Sequence, residues 1–128
     1  MPSPVMVPRL AGFTFTVVGV AVPKQSFRAR KDGRHFQSQR VVDWQRTVAE
    51  YARMYMFDWD LLTGDLLVSL DFYLPTRRRV DLDNLSKGVL DGLNGVVWED
   101  DKQIVGLMLS KQHDRDNPRV VVDVRLVT

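Results

Sequence analysis

Residues 80–104 read VDLDNLSKGVLDGLNGVVWEDDKQI, and the fold turns on how this stretch is laid out. Leu85, Val89 and Leu93 recur every fourth residue, and Leu82 and Leu90 widen the same apolar stripe, which predicts an amphipathic helix over 83–93. Asn94-Gly95 supplies a C-terminal stop. Six carboxylates (Asp81, Asp83, Asp91, Glu99, Asp100, Asp101) stand here against Lys87 and Lys102, so the stretch carries −4 in a chain of net charge +2. The surrounding sequence is correspondingly basic.

Working outward, DLLVSLDFYL at 65–74 alternates Leu66, Val68, Leu70, Phe72 and Leu74 on one face and predicts a strand running into Pro75 and the run Arg77-Arg78-Arg79. Upstream, Ser38 is a candidate N-cap for a helix over 39–57, with Val41, Trp44, Val48, Tyr51, Ala52 and Tyr55 as its apolar stripe. AGFTFTVVGVAV at 11–22 alternates like a strand. Between these elements, residues 23–40 carry a charge of +5 around a turn at Lys31-Asp32-Gly33-Arg34, and the segment reads as either a short hairpin or a loop. After the acidic stretch, 104–110 and 119–127 predict two further strands joined by HDRDNP. Residues 1–10, with three prolines, read as an irregular leader. The order strand, helix, strand, helix, strand, strand predicts a single α+β domain over 1–128 with a mixed sheet and two main helices.

The composition narrows the chemistry. The chain has no cysteine, which excludes disulfides and thiolate metal sites, and no apolar run approaches the ~20 residues of a membrane span. The N-terminus lacks the basic-then-apolar pattern of a signal peptide, and the expected location is cytoplasmic. A pI of about 9.2 points to a polyanionic partner. Arg28, Arg30, Lys31, Arg34 and Arg77, Arg78, Arg79 are the candidate phosphate contacts.

Helical rise sorts the acids. Asp91 lies ~12 Å beyond Asp83, too far to share an ion, whereas Lys87 is one turn away and leans back toward Asp81 and Asp83. A hard cation such as Mg2+ takes carboxylate, water and phosphate oxygens. If Val96–Asp101 runs extended after Gly95 it covers up to ~20 Å, enough to return the Glu99-Asp100-Asp101 triplet beside Asp81 and Asp83. Alternation then lets one of Asp100 and Asp101 face the site, and geometry leaves open which. The alternatives are a capping role for Asp81 or Asp83 and a solvated Glu-Asp-Asp turn. An EF-hand is excluded by the apolar residues at ligand positions and the lack of a glycine at the sixth.

The run TRRR, then D-x-D-N-x-x-K, x-D-x-L and W-x-D-D-x-Q-I, all present between Arg77 and Ile104, closely resembles the core of the RusA-type Holliday junction resolvases. The resemblance implies a small, homodimeric, Mg2+-dependent endodeoxyribonuclease acting on branched DNA in recombination and repair, with Mn2+ as a substitute ion and no nucleotide cofactor. It implies that Asp81, Asp83 and Asp101 bind metal, that Lys87 is catalytic, and that Asn84, Asp91 and Asp100 support them. The Pro-Pro-x-x-Asn-like segment of such proteins is kept here only in part, at Val22-Pro23. The competing readings are a non-catalytic DNA-binding module of the same fold and a Mg2+-dependent nuclease acting on flaps or forks.

Overall fold

A computed structural model describes residues 12–24, 28–29, 35–36 and 38–127 of the chain. The predicted leader and the turn at 31–34 lie outside the described residues. The elements are β1 (Gly12–Val18), β2 (Arg28–Ala29), β3 (His35–Phe36), α1 (Gln39–Met56), β4 (Leu66–Leu74), α2 (Leu82–Leu93), a 3-10 turn at Asp101–Gln103, β5 (Ile104–His113) and β6 (Arg119–Leu126). One sheet has the order β1-β6-β4-β5; β6 is antiparallel to both its neighbours, and β4 and β5 run parallel. β2 and β3 pair separately as a short antiparallel hairpin. The predicted α+β class and element order are the observed ones.

Alternation decides which face of the sheet is covered. Phe13, Phe15 and Val17 of β1, all five predicted apolar positions of β4, and Val120, Val122 and Val124 of β6 are buried. They meet α1 through Trp44, Val48 and Ala52, and α2 through Leu85, Val89 and Leu93. Each fully buried side chain of this size stabilises the fold by ~1.5–3 kcal/mol. Thr14, Ser69, Asp71 and Asp123 occupy the alternate positions on the opposite face, Thr14 exposed and the other three half-buried. Ser38 caps α1 as expected, its hydroxyl accepting from the Val41 amide at 3.3 Å.

Three departures have physical causes. β1 stops at Val18 because Gly19, at φ 142°, turns the chain away, and residues 21–24 then run against α2, where the Lys24 amide donates to the Asn84 carbonyl at 2.9 Å. β5 continues past Ser110 to His113 because β4 offers it paired positions as far as Leu74. Residues 96–101 do not run extended. Gly95, at φ 79°, reverses the chain, Val97 and Trp98 plunge into the core with no exposure, and Trp98 bridges Leu62 and Asn94.

The helices approach closely through glycine. A Cβ on Gly88 would stand 2.9 Å from the Val22 carbonyl oxygen, and one on Gly92 would stand 2.8 Å from the Gln45 carbonyl oxygen and 2.9 Å from Val48 Cβ. Residues 21–24 and α1 therefore seat on α2 where side chains are missing.

Candidate active site

The residues predicted to carry chemistry divide between the two ends of α2. At its N-terminus Asp81 is the cap, with Oδ1 accepting from the Asp83 amide at 2.9 Å. Asp83 Oδ2 pairs with Lys87 Nζ at 3.2 Å, one helical turn on. A carboxylate has about four lone-pair positions and a cap uses one, so capping leaves Asp81 able to bind a second partner. The cap and the ligand are compatible readings of one side chain. Both carboxylates also sit at the positive end of the helix dipole. Arg77, Arg78 and Arg79 are exposed on the loop that leads from β4 into this cap.

At the other end the structure separates Asp100 from Asp101. Asp100 caps the 3-10 turn, accepting from the Lys102 amide at 2.8 Å, and Gln103 Oε1 closes the same box by accepting from the Glu99 and Asp100 amides at 3.0 Å. Gln103 Nε2 in turn donates to the carbonyls of Leu62 and Gly64, fixing the turn to the segment before β4. Asp101 points inward: its Oδ1 accepts from the Trp98 indole at 2.7 Å, and it lines a shallow cavity with Leu90, Ile104, Val105, Gly106 and Leu107. Burial pushes its pKa above the ordinary carboxylate value; the Trp98 bond opposes that shift, and the charges of Asp91 and Asp100 add to it.

Asp91 has its own partners. It is ion-paired to Lys24 and accepts from Gln45 Nε2 at 3.3 Å. These contacts tie α2 to α1 and to the chain that leads into the β2–β3 hairpin. The helical-rise estimate that set Asp91 apart from Asp83 agrees with this placement. Asn84 contributes its backbone carbonyl to the same seam, as the acceptor for Lys24. Arg28 lies on β2, and Arg30, Lys31 and Arg34 fall outside the described residues.

Within one chain, then, Asp81, Asp83 and Lys87 are together. Asp101 is level with Leu90, about two helical turns or ~10 Å along the axis. Among the described residues no three acidic or histidine side chains converge as a metal-binding group. The tight turn at Gly95 is the reason: the Glu-Asp-Asp triplet stays beside the C-terminal half of α2. The chain does return to Asp81, but later and by a different residue. β5 runs back along α2, and Lys111 Nζ donates to the Val80 carbonyl at 2.6 Å. Lys111 was not legible as a site neighbour, because nothing in the sequence fixes where β5 ends against the helix.

The pair Asp81–Asp83 fits a hard divalent cation by its donor chemistry. Both are exposed carboxylates on one short turn, and Mg2+ commonly takes one or two protein carboxylates with waters and substrate phosphates completing the octahedron.

Comparison with known proteins follows the same residues. The sequence profile of the family described as endodeoxyribonuclease RusA matches residues 18–125. The crossover junction endodeoxyribonuclease RusA of Aquifex aeolicus is 29% identical over 108 residues, covering 81% of this chain and 83% of that protein. The uncharacterized protein YqaN of Bacillus subtilis is 46% identical over 48 residues, 38% of this chain; the match spans only 33% of YqaN's length.

Proposed function

The chain belongs to the endodeoxyribonuclease RusA family, and from that premise we propose that it is a Mg2+-dependent nuclease that resolves four-way DNA junctions as a homodimer, by paired hydrolysis of phosphodiester bonds. The observation that carries this reading is the Asp81–Asp83–Lys87 group at the head of α2, placed directly after three exposed arginines. Asp81 and Asp83 are the proposed metal ligands within a chain, with Asp101 as the third. A bound Mg2+, or Mn2+ in its place, would acidify an attacking water and neutralise charge on the phosphate. Lys87, held by Asp83 in the free protein, is a flexible cation one turn from the acids and can transfer to the phosphate as DNA arrives. Arg77, Arg78 and Arg79, with Arg28, Arg30, Lys31 and Arg34 of the hairpin region, hold the backbone on either side. Asn84 and Asp91 set the seam between α2 and the hairpin's base, and Asp100 shapes the turn that presents Asp101.

Two arguments support a second copy. A junction has two symmetric strands to cut, which suits a two-fold dimer. The acids of one chain are also split between the ends of α2. β5 is an edge strand with Val105, Leu107 and Met108 exposed. Antiparallel pairing of two β5 strands about a two-fold axis would set the Asp101 end of one copy against the Lys111 end of the other, where Asp81 and Asp83 stand. No helix among the described residues is long and apolar enough to cross a membrane, and we place the enzyme in the cytoplasm with its DNA.

The test is cleavage of a labelled four-way junction by the purified protein, with Mg2+ or with EDTA, beside linear duplex and flap substrates. Paired nicks in the junction that EDTA abolishes are expected. Equal rates on linear duplex or on the flap would overturn the junction assignment, and undiminished cleavage in EDTA would overturn the metal.

A further inference from the structure

The connection from β4 to α2 holds the three arginines and ends on Asp81, yet little of its own backbone pairing restrains it. Two side chains from β5 do so instead. His113 Nε2 lies 3.2 Å from the Pro75 carbonyl oxygen, at the start of the loop, and Lys111 Nζ lies 2.6 Å from the Val80 carbonyl oxygen, at its end. A carbonyl only accepts, so His113 carries its proton on Nε2 and both residues donate. Positions two apart on a strand share a face, and this is the face that looks onto the helix layer. The spacing of the two donors along β5 thus matches the two ends of the loop. The Asp114 amide reinforces the first anchor by donating to the Leu74 carbonyl at 2.8 Å.

We infer that Lys111 and His113 are positioning residues for the nuclease reaction: they clamp residues 75–80 at both ends, and so fix where the arginines meet the DNA backbone and where Asp81 begins the helix. The functional half of the inference rests on the proposed role of Arg77, Arg78 and Arg79 in binding DNA. The structural half does not, and the two are separable by experiment. Lys111 is exposed and stands on a strand held by its own ladder with β4, so losing its ammonium spares the core.

Trypsin reports on the clamp directly, because it cuts after arginine and needs a mobile backbone. In Lys111→Met the removal of one net hydrogen bond should raise the rate of cutting after Arg77, Arg78 or Arg79 about fivefold. The same loss should lower the melting temperature by no more than about 3–5 °C, so the fold stays intact, and Lys111→Arg, which keeps a donor, should restore protection. On a four-way junction the same Met variant should show a raised KM and a reduced kcat, both recovered by Lys111→Arg. His113→Ala is the second variant and should open the other end of the loop in the same proteolysis assay. Unchanged trypsin sensitivity in both variants would overturn the clamp. Faster proteolysis with unaltered KM and kcat would leave the clamp standing and overturn its part in the reaction. Failure of the parent itself to cleave junctions would count against the proposed function and leave the proteolysis result intact.

Discussion

Lys87 and Asp83 form an exposed pair at 3.2 Å, and exposed pairs of this kind contribute roughly 0.2–1 kcal/mol. Lys87→Ala should therefore melt within a few degrees of the parent and bind junction DNA with similar affinity, while losing cleavage; a gel-shift titration run beside a nicking assay separates the two. Parallel loss of binding and cleavage would move Lys87 from chemistry to docking. Asp101 is the opposite case, a residue whose charge works against the fold. Burial raises its pKa above the unfolded value, so its favourable contribution is complete below the ordinary carboxylate range and is lost as pH rises through the folded value. Asp101→Asn removes that titration and keeps an oxygen for the Trp98 indole. Thermal melts without divalent cation should show the variant more stable than the parent at pH 7, with the gain gone by pH 3, and cleavage should be abolished. A drop in stability at pH 7 would show that the charged form of Asp101 is worth more to the fold than its burial costs. Asp114 has the reverse sign: the Arg119 guanidinium bonded to it lowers its pKa, so its contribution holds at neutral pH and fades on acidification through the lowered value.

At the level of elements, α2 is where the local code and the packing agree most fully. Its apolar positions at every fourth residue and its Asn94-Gly95 stop located it to within one residue at its start. Its glycines are explained only by the neighbours they admit. Alanine has the higher helix propensity by ~1 kcal/mol, yet Gly92→Ala should destabilise by about 1–3 kcal/mol in urea unfolding, because its methyl would press on the Gln45 carbonyl and Val48. A stabilised variant would mean that α1 yields there. β1, β4 and β6 were legible for the same periodic reason, and the buried face of β4 is the predicted one throughout. Residues 95–103 were not. An apolar dipeptide followed by a tryptophan and acids suits an extended strand as well as a turn, and the choice was made by Gly95's backbone and by the burial of Trp98. Those are tertiary facts. Asp100 and Asp101 likewise differ in their contacts through the Trp98 indole and the capping box of Gln103, which no pattern in the sequence displays. Asp91 finds Lys24, 67 residues away in sequence, a pairing beyond the reach of helical spacing alone.

For the whole molecule the question is how a chain with its acids at opposite ends of one helix assembles a site. The dimer proposed above, with each site completed in trans, makes a definite demand on mixed dimers. Asp81→Asn and Asp101→Asn proteins should each be inactive. Coexpressed, they should form heterodimers in which one of the two shared sites keeps every acid, and nicking of a single strand should return. If mixing restores nothing, while light scattering confirms that the heterodimer forms, the acids act within one chain and α2 must rearrange on DNA. The basic remainder of the sequence acts at this scale as well. It draws in a polyanion whatever its shape, so affinity should fall steeply with added salt, and in the proposed dimer it is the spacing of the two sites that would select branched DNA.

The parallel pairing of β4 with β5 carries a consequence for when, during folding, the enzyme can first act. Parallel neighbours cannot be joined by a tight turn, and here the crossover between them is α2 itself. The helix that bears Asp81 and Asp83 is thus the linker of a loop that must close over a long sequence separation before β5 can dock, and such closures are slow. Lys111 reaches Val80 only once that closure is complete. A newly made chain that has emerged through α2 already carries Asp81, Asp83 and the three arginines, but on an unanchored segment and without Asp101. With the clamp inferred above, cutting of DNA is expected to wait until β5 has docked.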